Sequence, residues 1–140
     1  MTNPIPYLAF DGTCEQAMHF YERVLGGRIA AMMRMGEAPG PHPVPPEAKD
    51  LIMYADLVLP DGGHIYAGDR PPGMPYQGIH GVALAMNFSS AAQARKVFEA
   101  LSENGQVIMA PQATFWAREF SMCVDRFGAT WSLNGERLDG

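Results

Sequence analysis

A succession of strand, helix and three strands occurs twice along this 140-residue chain, and that doubling limits its architecture more than any other feature. In the first copy, Pro4–Phe10 ("PIPYLAF") reads as a strand with proline near its start. "TCEQAMHFYERVLGG" follows as a helix, with Thr13 and Gln16 in capping-box spacing, an apolar stripe of Cys14, Ala17, Met18, Tyr21 and Leu25, and a Gly26-Gly27 stop. "RIAAMMRM", "LIMYADLVL" and "HIYAGD" are three further strands, the last two joined by a "PDGG" turn. The second copy runs "HGVALAMNF", then the helix "SSAAQARKVFEALSENG" with Ser90 and Gln93 as its capping box, then "QVIMAP", "EFSMCVD" and "TWSLNGE". An offset of about 76 to 77 residues lays Leu8 on Leu84, Phe10 on Met86, Tyr21 on Val97 and Leu25 on Leu101.

The fold class that follows is α+β: two tandem βαβββ units with curved, mostly antiparallel sheets. The chain reads as one domain, 1–140, built of two halves of about 1–72 and 73–140. The five-proline stretch "GEAPGPHPVPPEAKD" has no periodicity and reads as a long loop, a common place for lids and binding segments.

A net charge of -5 argues against nucleic acid as a partner, because phosphate neutralisation needs a basic face. No apolar run approaches the roughly 20 residues of a membrane span, and "MTNPIPYLAF" lacks the basic-then-apolar order of a secretory signal. A cytoplasmic location without membrane attachment is the expectation. Cys14 and Cys123 lack metal-knuckle spacing. Cys14 falls in the first helical turn, where the helix dipole would favour a thiolate, although small buried cysteines are commonly inert.

One helix covers one face of a four-stranded sheet, so each unit leaves the other face to enclose a ligand cavity. The inward residues expected of such a cavity are Tyr7, Met33, Tyr54, Tyr66, Met86, Thr114, Trp116, Phe120 and Trp131, with His64, Met35, Met109 and Met122 nearby. A one-residue slip reverses which face a strand residue occupies. Trp116 reads equally as the rim of a cavity, with Thr114 and Arg118 as polar contacts, or as core closing the end of a sheet. For Phe120 and Trp131 core is the commoner use of such aromatics. Asp125 before "RFG" is expected to cap a turn, and Arg118-Glu119 to be a solvated pair. Glu37 in "GEAPG" opens the long loop; as a catalytic general base it would need burial to raise its pKa. The ten methionines suit a core, and also a surface that accepts varied apolar ligands.

"YLAFDGTCEQAMHFYERVLGG", "MGEAPG" and "QATFWAREFSMCVDRFGATWSLN" resemble the PhnB-like branch of the vicinal oxygen chelate superfamily, which includes glyoxalase I, bleomycin-resistance proteins and extradiol dioxygenases. The likeness runs over nearly the whole chain. It implies a homodimer that binds a small organic molecule. It also implies, in catalytic members, a divalent metal held by His, Glu or Gln from the first and last strands of each unit. The first-strand position falls in "PIPYLAF", which has no such ligand; the fourth falls near His64, the fifth near Ala83 with His80 slightly earlier, and the last near Ser132 with Asn134 and Glu136 beyond. His64 and Glu136 are the candidate metal ligands, with no cofactor as the main expectation; His42 in the proline loop reads as a solvated residue, with a lid over a substrate as the alternative. No glycine-rich nucleotide-gripping loop supports the methyltransferase label that some members of this branch carry. The alternatives carried forward are a metal-dependent lyase, isomerase or dioxygenase, a sequestering protein, and a structural dimer.

Overall fold

Alternation in "YLAF" sends Leu8 and Phe10 to one side and Tyr7 and Ala9 to the other, and the chain builds outward from that division. The computed structural model describes residues 3–40 and 44–138. It divides into two compact units, Met1–Gly78 and Ile79–Gly140, a boundary later than residue 72. His42 lies outside the described residues.

The first unit orders as β1 (Tyr7–Phe10), α1 (Cys14–Leu25), β2 (Arg28–Arg34), β3 (Ile52–Val58) and β4 (His64–Asp69). Its sheet has the order β1-β4-β3-β2. The β1–β4 pair is parallel and the other two are antiparallel. The second unit repeats this with β5 (Ala83–Phe88), α2 (Ala91–Ser102), β6 (Gln106–Gln112), β7 (Ala117–Val124) and β8 (Thr130–Arg137), in the order β5-β8-β7-β6. Here β5–β8 is the parallel pair. The doubled βαβββ topology expected from the sequence is therefore present, strand for strand.

Each helix buries one face of its own sheet. In the first unit Leu8, Phe10, Ala55, Leu57, Ile65 and Ala67 are buried with Cys14, Ala17, Met18 and Tyr21 of α1. In the second, a Cβ on Gly135 would stand 2.7 Å from the Ala91 Cα, so only glycine lets α2 approach β8 this closely. Trp131, Leu133 and Cys123 fill that face with no solvent exposure.

The start of α1 departs from expectation. Thr13 makes no side-chain cap, so the Thr13/Gln16 box is not formed. Asp69, at the end of β4, does the work from across the sheet: Oδ1 accepts the Gly12 and Cys14 amides at 2.9 and 3.0 Å, and Oδ2 accepts the Ile52 amide at 2.8 Å. A carboxylate with three backbone donors outcompetes a hydroxyl with one. At α2 the Ser90 hydroxyl does accept the Gln93 amide, at 3.1 Å.

The proline loop is more structured than its composition suggests. Its stem is closed by Met35 and Gly36 amides donating to the Leu51 and Lys49 carbonyls, at 2.7 and 2.9 Å. Short 3₁₀ turns occupy Met35–Glu37 and Pro46–Ala48. Among the described residues, no helix is long and apolar enough to cross a membrane.

Candidate functional site

Residues opposite one another on neighbouring strands share a face, so the strand registers settle what each sheet presents on the side away from its helix. In the first unit one row runs Tyr7–Tyr66–Asp56–Ala31 across all four strands. Val58 opposite His64, and Tyr54 opposite Met33, lie on the same side. Tyr7, Met33, Tyr54 and Tyr66 therefore share one open face with His64. The Tyr54 and Tyr66 rings lie 5.8 Å apart, and His64 meets Tyr66 edge-on at 6.1 Å. Desolvation, then the Asp56 carboxylate, pushes the Tyr54 phenol above its ordinary pKa, so it stays a protonated donor.

Two residues complete this face that pattern reading missed. The β3 register slips between Tyr54 and Ile52, so Met53 is an extra residue in a bulge and turns to the open side. Gly68 is the other: a Cβ there would stand 2.7 Å from the Tyr7 hydroxyl and 2.8 Å from the Met53 carbonyl. Glycine lets the Tyr7 ring lie across the strand, its hydroxyl donating to the Met53 carbonyl at 3.4 Å. A glycine within a strand was the available signal.

At this end the face deepens into two adjoining grooves. One, of about 430 Å³, is bounded by Tyr7, Ala9, Met53, Gly68, Met74 and Tyr76. The other, of about 520 Å³, is walled by Met35, Ala38, Pro39, Val44, Pro45, Met53, Pro71 and Pro72. Met35, Met53 and Pro71 belong to both. The strap over the first groove is fastened at both ends. Arg70 donates to Asp11 at 2.7 Å and to the Met74 carbonyl at 2.8 Å, and the Tyr76 hydroxyl donates to the Ala9 carbonyl at 2.9 Å.

The second unit's open face carries Asn87, Asn134, Phe120 and Gln112 in one row, and Ala85, Ser132, Met122 and Met109 in the next. Trp116 Nε1 donates to Asn134 Oδ1 and Asn134 Nδ2 to Asn87 Oδ1, each at 2.9 Å. Thr114 closes the hairpin that carries Trp116, its hydroxyl accepting the Ala117 amide at 3.2 Å. Phe115, Trp116 and Phe120 stack edge to face, with Phe115 90% exposed.

Several sequence expectations are corrected. Met86 and Trp131 lie on the helix side of the second sheet, opposite Leu133 and Leu84, one residue out of phase with its open face. Trp131 is core: its indole donates to Asp125 Oδ2 at 2.8 Å. Asp125 also caps its turn, accepting the Phe127 and Ala129 amides at 2.8 and 3.1 Å. Arg118 and Glu119 point to opposite faces, as neighbours on a strand must. Glu119 pairs with Arg95 of α2 at 2.7 Å, and Arg118 pairs with Glu136. Glu37 is exposed and accepts the Arg34 amide at 2.8 Å, tying its own turn rather than standing buried as a base.

The candidate metal ligands are likewise engaged elsewhere. His64 Nδ1 meets Asp56 Oδ1 at 2.8 Å, while the Glu136 carboxylate faces Arg118. Among the described residues no three His, Cys, Asp or Glu side chains converge as a metal site. The open-face residues of β1 and β5 are Tyr7, Ala9, Ala83, Ala85 and Asn87, which do not fit the ligand set that the superfamily resemblance implies.

Cys14 is no nucleophile. Burial first, then the nearby Asp69 and Glu15 carboxylates, push its thiol from 9.0 up to about 12. Burial and Asp125 push Cys123 up to about 11. Between 9.0 and about 12 the unfolded chain has shed a proton that native Cys14 keeps, so stability falls as pH rises through that window. We expect the urea midpoint to drop between about pH 8 and about pH 10.5, and to drop less in Cys14→Ala. Neither thiol should react with a colorimetric disulfide reagent until the chain is unfolded.

Two βαβββ units of identical strand order, each with one face covered and one open, define the class of protein. Residues 5–133 match the Glyoxalase/Bleomycin resistance protein/Dioxygenase superfamily, and the chain belongs to it. It is 30% identical to Protein YjdN of Escherichia coli (strain K12) over 92% of each chain. It is 40% identical to protein PA1353 from Pseudomonas aeruginosa, whose crystal structure superposes with a TM-score of 0.87 over 96% of this chain and 97% of that one. A Bacillus cereus PhnB protein, described as a putative 3-demethylubiquinone-9 3-methyltransferase, shares the fold with a TM-score of 0.77 over 95% of this chain and 98% of that one, at 19% identity.

Proposed function

We propose that this chain binds a small, largely uncharged organic molecule on the open face of its first sheet, in the groove between the Tyr7–Gly68 floor and the proline walls. The observation that carries this reading is the apolar groove itself, which joins thioethers of Met35 and Met53 to Pro39, Pro45, Pro71 and Val44. The two adjoining grooves, of about 430 and about 520 Å³, each lie within the range of small-molecule sites. Flexible thioethers adapt to ligand shape, and prolines hold a wall at little entropic cost. Kinship with the superfamily also supports a homodimer, which light scattering in solution would check.

The test is titration with N-phenyl-1-naphthylamine, an uncharged probe that brightens when desolvated. The wild type should bind it saturably. Met53→Glu should weaken binding about tenfold or more, because a carboxylate in the groove must be desolvated by the ligand. Met53 is 39% exposed, so the variant should fold. No binding by the wild type, or equal binding by both, would defeat the reading.

A further inference from the structure

We propose that His64 and Asp56 form an oriented acceptor for the hydroxyl of a phenolic ligand. The inference rests on reading the first sheet's open face as a ligand surface, and it concerns the part of that face beyond the grooves, reached from Tyr7 through its strand partner Tyr66. Asp56 Oδ1 lies 2.8 Å from His64 Nδ1, with side-chain exposures of 14% and 37%. In a neutral imidazole one ring nitrogen carries the proton and the other a lone pair. A carboxylate accepts only, so it holds the proton on Nδ1 and leaves Nε2 as an acceptor. No hydrogen bond to Nε2 occurs among the described residues.

The surroundings suit an aromatic ring. Tyr66 lies beside both His64 and Tyr54, at 6.1 and 5.8 Å, making a floor of three rings. Across β2 the residue facing Asp56 is Ala31, whose small side chain leaves room beside the pair. In the proposed pose a ligand ring rests against Tyr66, beside His64, and its hydroxyl donates to Nε2. A methyl ether in the same pose has no proton to give and leaves the acceptor unpaired. Asp56 acts here as a positioning residue.

The probes are 2-naphthol and its methyl ether, followed by histidine ¹⁵N shifts and affinity. The free protein should show His64 with the proton on Nδ1. 2-Naphthol should bind about tenfold tighter than the ether, and its binding should shift the Nε2 resonance. The preference should vanish in His64→Ala; in Asp56→Ala it should shrink as the proton redistributes to Nε2. Equal affinities for the two probes, a preference that survives in His64→Ala, or an Nε2–H tautomer in the wild type would reduce the pair to a surface ion pair and overturn the inference. Equal binding would leave the ligand-surface reading standing, and binding of neither naphthyl probe, with N-phenyl-1-naphthylamine still bound, would overturn this inference alone.

Discussion

Replacing Asp69 with asparagine is expected to destabilise the protein by about 3 kcal/mol or more, although the two side chains have nearly the same shape. The aspartate accepts three backbone amides, from Gly12, Cys14 and Ile52, while only 7% exposed. Asparagine offers one oxygen, and its NH₂ turns two donors toward amides that are themselves donors. Each buried amide left without an acceptor costs about 1–3 kcal/mol. Against a total stability of about 5–15 kcal/mol this is a large fraction, and the melting temperature should fall by about 10 °C. Asp61→Asn is the control: its carboxylate accepts one exposed amide, that of Gly63 at 3.2 Å. It should shift the urea midpoint little. Equal midpoints for Asp69→Asn and the wild type would show that the first helix does not depend on this carboxylate.

Trp131→Ala should cost about 3–5 kcal/mol. The indole has no solvent exposure and sits between Leu84 and Cys123 on the helix side of the second sheet. Removing it opens a void that rigid neighbours fill poorly, and it strips Asp125 of one donor. Trp131→Phe separates the two effects. It keeps most of the volume, leaves a smaller void and loses the same hydrogen bond, so an intermediate cost of about 1–3 kcal/mol is expected. Denaturant midpoints of the three proteins check the order wild type, phenylalanine, alanine; an alanine variant as stable as the wild type would place the indole outside the core. The native fluorescence should also be shielded for Trp131 and quenchable for the half-buried Trp116.

The two predictions concern buried carboxylates that sequence reading treated unequally. Asp125 before "RFG" was legible as a turn cap, because its partners lie two and four residues on. Asp69 was not, because its partners lie 17 to 57 residues away. The same divide separates the candidate site residues. Tyr7, Tyr54 and Tyr66 alternate regularly and share a face, whereas Met53 joins it through a bulge that no local pattern announces. Met86 and Trp131 went astray by one step of phase. His64 was legible as a polar strand residue, but its Asp56 partner is fixed by the pairing of β3 with β4.

The sequence by itself determined the doubled βαβββ order, the two helices with their apolar stripes, and the turns, since periodicity and turn chemistry act over a few neighbouring residues. Only the tertiary structure decided which face of each strand is open, that Asp69 rather than Thr13 holds the first helix, and that Met35, Met53 and the prolines gather into one groove. Those outcomes depend on register and on contacts between distant segments, where a shift of one residue exchanges the buried side for the exposed one.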